Sequence, residues 1–242
     1  MRDLATGRET PLTVAGGGST PTISADGKRL AFVVAQEPTR VAFRAVDGGA
    51  TDVQPELRFG WSWPTPAVFF GSTRVGTVSE LTVLNPFTGK VRPALSEMKQ
   101  GFFGHGQLSP DGRWASAMEF RSADQARVIL FPFGDAPAAL KDVMPLTGER
   151  TVEEEHAWSP KGDAIYFVSE RDGTRCFWMR KLDPATKRPV GDIMPVLHLH
   201  GARRSMISTV DSPQRFVLHD GKLYFSLQEV RASVWKATLK TP

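Results

Sequence analysis

The chain of 242 residues contains one cysteine, Cys176, so it can form no internal disulfide and holds no Cys-x-x-Cys pair for metal or redox work. No stretch approaches the roughly 18 apolar residues of a membrane-spanning helix. The start, Met1-Arg2-Asp3-Leu4-Ala5-Thr6-Gly7, lacks the apolar core of a secretory signal. Charge of one sign is scarce: 30 Lys and Arg stand against 26 Asp and Glu, a net of +4. Basic residues occur in pairs such as Arg203-Arg204 and not in long runs, so nucleic acid is not an expected partner. A phosphate-cradling Gly-x-Gly-x-x-Gly loop, the HRD and DFG motifs of kinases and the Gly-x-Ser-x-Gly elbow of serine hydrolases are all missing.

Glycine and proline, by contrast, are plentiful: 22 and 18 residues, together about one in six. That density excludes a helical bundle, whose element interiors tolerate neither residue. With 40% hydrophobic and 23% charged residues the composition is ordinary for a globular protein. A chain of this length buries roughly 70–75% of its unfolded surface and needs no disulfide to hold a core. The expected class is turn-rich and all-β.

Internal repetition organises the chain. Ser24-Ala25-Asp26-Gly27, Ser109-Pro110-Asp111-Gly112 and Ser159-Pro160-Lys161-Gly162 each form a tight turn feeding an apolar strand, such as Leu30-Ala31-Phe32-Val33-Val34 or Ile165-Tyr166-Phe167-Val168. Proline presets the turn, aspartate bonds its own backbone and glycine accepts positive φ. Apolar residues in succession, not in alternation, predict strands covered on both faces. A second signature follows a strand pair later: Leu84-Asn85-Pro86-Phe87-Thr88-Gly89-Lys90, Leu182-Asp183-Pro184-Ala185-Thr186-Lys187 and Asp3-Leu4-Ala5-Thr6-Gly7-Arg8. Asp47-Gly48-Gly49 and Phe133-Gly134-Asp135 take the same place in two further units, and all predict hairpins between outer strands.

Asp26 and Asp111 lie 85 residues apart, room for an intervening copy, and Gly60-Trp61-Ser62-Trp63-Pro64 leading into Ala67-Val68-Phe69-Phe70 supplies one without its Asp-Gly turn. A last copy is His219-Asp220-Gly221-Lys222-Leu223-Tyr224-Phe225. Five units with about four short strands each describe a β-propeller of about five to six blades. The N-terminal strands (residues 2–4 and 9–13) are placed to complete a last blade that ends in the strand at 233–239, closing the ring. Incomplete blades at both ends equally describe a fragment of a longer protein; residues 1–242 are expected to form one propeller domain.

Ser-Pro-Asp-Gly-Arg before an apolar strand resembles the TolB-type (WD40-like, PD40) propeller repeat. Trp158-Ser159-Pro160-Lys161-Gly162, Tyr166-Phe167-Val168-Ser169-Glu170-Arg171-Asp172-Gly173, Leu182-Asp183-Pro184-Ala185-Thr186, His200-Gly201-Ala202-Arg203-Arg204-Ser205 and Val234-Trp235 resemble more specifically the C-terminal propeller of acidobacterial proteins in which it follows a Ser/Thr kinase or winged-helix domain. Ala25, Lys161 and the missing second Asp-Gly turn depart from the repeat. The resemblance spans nearly the whole chain and implies a fold; on ligand it is nearly silent.

His198 and His200, two apart, share one face of an extended strand and, with His156 and Glu153-Glu154-Glu155, could converge on a metal. Spacing secures only two of the three or four ligands a metal needs. The expectation is therefore no metal, with the histidines on a strand edge and the glutamates in a solvated loop. No catalytic residue is nominated, because the repeat serines recur in the blades for folding and no carboxylate pair stands out. Phe32, Phe69, Phe70, Trp158, Phe167 and Phe225 are expected in the core between blades. Arg40, Arg44, Arg74 and Arg121 are assigned to variable loops, with solvated surface as their default role.

Gly101-Phe102-Phe103-Gly104-His105-Gly106-Gln107, placed just before an inner strand, brings backbone near the central channel. Propellers bind at the channel mouth, so His105, His156 and Arg203 are the candidate ligand-binding residues. No cofactor is implied. The expected function is a non-catalytic interaction, scaffold or sensory module, monomeric, binding a protein or small ligand. The alternative is the gating half of a prolyl-oligopeptidase-like hydrolase whose catalytic domain lies outside this chain.

Overall fold

The computed structural model describes residues 6–7, 9, 18–34, 39–54, 57–75, 78–96, 102–122, 125–148, 153–200, 204–206, 216–219 and 221–229. Strands β1 (Gly18–Ile23), β2 (Arg29–Val34), β3 (Arg40–Ala45) and β4 (Thr51–Gln54) form an antiparallel meander in sequence order. The pattern recurs in β5 (Phe59–Thr65), β6 (Val68–Val75), β7 (Val78–Leu84) and β8 (Val91–Pro93). It recurs again in β9 (Phe102–Leu108), β10 (Trp114–Ser122), β11 (Gln125–Pro132) and β12 (Met144–Pro145). A fourth meander is β13 (Glu153–Trp158), β14 (Ala164–Ser169), β15 (Cys176–Leu182) and β16 (Pro189–Leu197). Beyond it, β17 (Arg204–Ser205) pairs with β20 (Gln228–Glu229), and β18 (Phe216–His219) forms a hairpin with β19 (Lys222–Phe225). Among the described residues the only helical piece is a 3₁₀ turn at Leu140–Asp142. None of their helices is long and apolar enough to cross a membrane.

First strands of successive meanders lie against one another, β1 on β5, β5 on β9, β9 on β13 and β13 on β18. The meanders therefore converge at their first strands and act as blades of a propeller. Ring closure depends on termini that lie outside the described residues.

The core sits between blades. Along β2, Ala31 and Val33 turn to a cluster with Phe43, Trp63 and Phe69 of the first two blades, while Leu30, Phe32 and Val34 turn the other way. Along β10 and β11, Ala115, Ala117, Ile129 and Phe131 pack on Phe70 and Leu81 of the second blade. Met118, Val128 and Leu130 pack on Ile165, Phe167 and Trp178 of the fourth. Val168 and Phe177 meet Phe216 and Phe225. The unbroken apolar runs thus arise from burial on both faces.

The repeat turns are built by their serines. Ser109 Oγ donates to Asp111 Oδ1 at 2.6 Å and accepts the Trp114 amide at 3.0 Å, while Gly112 takes φ 69°. Ser24 makes the same bonds to Asp26 (2.6 Å) and the Arg29 amide (2.9 Å). In the fourth blade Lys161 occupies the aspartate position, and Asp163 accepts the Ser159 hydroxyl instead, at 2.7 Å. The outer hairpins use the same chemistry: Asn85 Oδ1 accepts the Phe87 amide at 2.9 Å and Asp183 Oδ1 accepts the Thr186 amide at 2.7 Å. Lys187 adopts φ 55° where Gly89 has 69°, and its buried Nζ donates to the Gly162 carbonyl at 2.8 Å.

Replacing Ser109 with alanine strips the part-buried Trp114 amide of its partner and Asp111 of one of its partners. The expected cost is about 1–3 kcal/mol, read as a lower urea midpoint at unchanged m-value. A loss below about 0.5 kcal/mol, the size of an ordinary surface change, would show that the turn does not depend on this hydroxyl.

Candidate functional site

The first strand of a blade does not run straight. The β1–β2 register shifts between Ser19 and Thr22, the β9–β10 register shifts between Ser116 and Met118, and the β13–β14 register shifts between Glu153 and His156. The residues four before the turn serines are Thr20, His105 and Glu155, so the irregularity occupies one repeat position. Thr20 and His105 sit at φ 46° and 56°, a left-handed conformation that costs a non-glycine residue about 1–3 kcal/mol. Such a bulge re-aims a side chain out of the alternating pattern.

At the third and fourth blades the re-aimed side chains meet. His105 Nδ1 lies 2.8 Å from Glu155 Oε1, and both side chains are largely shielded. The His105 ring packs on Phe120 with centroids 5.8 Å apart. His156 is buried beside them, its Nε2 2.8 Å from Ser116 Oγ, and its Nδ1 has no hydrogen-bond partner among the described residues. The blades are stitched at this level: Gln107 Nε2 donates to the His156 carbonyl, and Ser62 Oγ donates to the Gly106 carbonyl at 2.5 Å. Gly106 is required by packing, since a Cβ there would fall 2.8 Å from Phe70 Cδ1 and 2.9 Å from Leu81 Cδ1. With Phe216 and Val217 of β18, these residues line a cavity of about 170 Å³.

The structure brings His105 and His156 together at one cavity and adds Glu155. Arg203 lies outside the described residues. Three expectations are corrected. The segment around His105 is not a lead-in to an inner strand but the inner strand itself, β9. Glu153-Glu154-Glu155 is not a solvated loop. It forms half of β13, where Glu153 pairs with Arg171 at 2.7 Å, Glu154 with Arg175 at 2.7 Å and Glu155 lies against the His105 imidazole, so each carboxylate has a polar partner. Burial still pushes the Glu154 carboxyl above its ordinary range, against the pull of Arg175. Arg40 and Arg44 lie in β3 and Arg121 in β10, not in loops; Arg74 falls within β6.

His198 and His200 join neither His156 nor the glutamates. Both turn onto Asp172 Oδ2, at 3.0 Å from His198 Nδ1 and 2.9 Å from His200 Nε2. Cys176 completes a group whose ligand atoms all lie within 4.8 Å of one another. Burial pushes the Cys176 thiol pKa up, opposed by the Leu199 amide, which donates to Sγ at 3.3 Å. Asp172 and Cys176 carried no signal in the sequence beyond their residue types. Glu155 did: it precedes Ser159 by the interval that separates His105 from Ser109. A further cavity of about 770 Å³, lined by Arg29, Trp63 and the exposed Phe87, opens between the first two blades on the side of the repeat turns.

Blades of four antiparallel strands, convergent first strands and inter-blade cores define a β-propeller. No family model and no curated protein matches the chain. Solved structures do. TolB from Acinetobacter baumannii superposes with a TM-score of 0.59 at 18% identity, covering 80% of this chain and 49% of its own. The β-propeller domain of the Trilobed protease from Pyrococcus furiosus, which has an open velcro topology, gives 0.56 at 14% identity, covering 88% of this chain and 66% of its own. One of two prolyl endopeptidases analysed for inter-domain dynamics gives 0.58 at 18% identity, covering 87% and 32%. The fold is a TolB-like β-propeller, and the chain spans about half the length of the TolB it matches.

Burial lowers the His156 pKa to about 4 from an ordinary 6.5; Glu155 opposes the shift and His105 adds to it. Between about pH 4 and 6.5 the unfolded chain binds more protons than the folded one, so stability falls as pH drops through this window and is fully present above it. The full span is worth about 3 kcal/mol. Urea midpoints at pH 7 and 4.5 should differ less in His156→Gln than in the wild type. Equal differences would remove His156 as the source of the slope.

Proposed function

We propose that this chain is a non-catalytic binding module that takes a protein partner at the inner end of its blades, around His105, Glu155 and His156. The observation that carries the proposal is the His105–Glu155 pair, which two strand bulges aim across a blade boundary into one cavity. Backbone strain at His105 stabilises nothing in the blade ladder and is explained by the placement of that ring. The cavity volume favours a protein over a metabolite. At about 170 Å³ it is smaller than the roughly 300–1,000 Å³ of small-molecule sites. It suits one inserted polar side chain or chain end, with the surrounding face supplying the remaining contact. Arg203, outside the described residues, is proposed as a further contact to the same partner.

The TolB neighbour and the resemblance of the fourth-blade sequence to kinase-linked and winged-helix-linked propellers support an interaction or sensory role. In the alternative reading, which draws on the peptidase neighbours, the ring gates access to a serine hydrolase domain outside this chain.

The test is affinity capture by the immobilised chain from lysate of its source cells, with His105→Ala and Glu155→Gln beside the wild type and Arg113→Ala as a control on an exposed turn. Binding of the captured partner should fall at least ~10-fold in the two inner-strand variants and persist in the control. Capture that survives both inner-strand changes removes this face as the binding site. Capture of a hydrolase in place of a regulator would favour the gating reading.

A further inference from the structure

We propose that Asp172, Cys176, His198 and His200 form a tetrahedral zinc site that clasps the outgoing end of the fourth blade. Asp172 sits in the turn between β14 and β15, Cys176 opens β15, and the two histidines follow the last residue of β16. Pairing of β15 with β16 unites them: Phe177 lies opposite Leu197, which brings Cys176 beside His198, 22 positions along the chain.

The geometry is close to that of a bound ion. With bonds of about 2.0–2.3 Å, the ligand atoms of a tetrahedral zinc site stand roughly 3.3–3.8 Å apart. Here the two imidazole nitrogens lie 2.9 and 3.0 Å from the Asp172 oxygen, and the full set stays within 4.8 Å. Shifts of about 1 Å or less bring all four to one centre. Alternation along the extended chain is what makes this possible: His198 and His200 face the cluster while Leu199, between them, packs against the apolar clusters on either side of the blade.

The donor set selects the metal. Two nitrogens, one sulfur and one carboxylate oxygen in four-fold array suit Zn²⁺; Ca²⁺ and Mg²⁺ need six or more oxygens. Charge balances as well. Two neutral imidazoles, a thiolate and a carboxylate neutralise a divalent ion. On binding, the Cys176 S–H bond breaks, its proton leaves to solvent, and sulfur donates the freed electron pair to the metal.

Supporting contacts are of the kind that orient ligands. The Leu199 amide points at Cys176 Sγ (3.3 Å), a contact that strengthens when sulfur becomes a thiolate. Trp178 packs edge-on against His198 with centroids 5.4 Å apart. Cys176 itself is solvent-inaccessible, whereas the histidine side chains are nearly half exposed, so an ion enters from the surface and meets the thiol last. Four protein ligands leave no open position, which marks a structural site and not a catalytic one. Its effect is to pin the segment leaving β16 onto the β14–β15 turn, where Arg175 NH1 also donates to the Met206 carbonyl at 3.3 Å. The site is separate from the inner-strand cavity and independent of the function proposed for it.

The experiment is a titration of the metal-free chain with Co²⁺ and then Zn²⁺, followed by absorption and thermal unfolding. One equivalent of Co²⁺ should give the intense ligand-field bands of tetrahedral cobalt together with a thiolate-to-cobalt charge-transfer band, and Zn²⁺ should bleach both. Zn²⁺ should raise the melting temperature. His198→Ala and His200→Ala change exposed side chains, so in chelator they should melt as the wild type does. Each should weaken Co²⁺ binding by more than the roughly 10–100-fold that loss of a supporting partner costs. Cys176→Ser should abolish the charge-transfer band. The proposal is overturned by absence of stoichiometric binding, by binding without the thiolate band, or by undiminished affinity in both histidine variants.

Discussion

Burial of the middle strands on both faces is the constraint from which the rest of this structure follows. A strand such as β10 or β14 sends alternate side chains into two different inter-blade clusters, so these blades share their cores with their neighbours. Phe167, Phe131 and Phe70, all fully buried, are covered by residues of neighbouring blades. Burying each such side chain is worth about 1.5–3 kcal/mol, and that term appears only when adjacent blades are stacked. The aromatic surplus, the near absence of alternation in the strands and the tolerance of a single cysteine all express this arrangement.

Stacking blades face to face forces their first strands together, and this crowding shapes the inner site. Glycine is needed at 106 because Phe70 and Leu81 of the preceding blade leave no room for a Cβ. Register shifts recur at Thr20, His105 and Glu155, and at the last two positions the polar side chains line one cavity between blades. Charges placed there need partners, and they have them: Glu153 and Glu154 of β13 meet arginines and Glu155 meets the His105 imidazole, each from another strand or turn. The outward ends of the strands carry no such constraint, and there the chain uses repeated serine-centred turns and asparagine- or aspartate-capped hairpins.

Much of the fold was legible because its determinants are local. Ser109-Pro110-Asp111-Gly112 encodes its turn within four residues, and the apolar run after it announces a strand covered twice. Even the departure at Lys161 has a local answer, since Asp163 takes over the hydroxyl of Ser159 two residues further on. The site was legible in part. For the candidate site the sequence offers His105, in a glycine-rich stretch read as preceding an inner strand, and His156 as a channel-mouth residue, whereas Glu155 reads as loop because an acidic triplet looks solvent-loving until its cations are located. Those cations, Arg171 and Arg175, lie 18 and 21 residues from their partners Glu153 and Glu154.

By itself the sequence determined the repeat, its turns, the strand order within each blade and the propeller class, since each of these rests on contacts between near neighbours in the chain. Tertiary structure alone decided which polar residues meet. His105 reaches Glu155 across 50 positions, and Asp172 reaches His198 and His200 across 26 and 28. Such pairs are set by how blades stack, how a bulge rotates one residue out of register and where a strand happens to end. None of these leaves a periodic trace in the chain, because each depends on the packing of surfaces that are distant in sequence.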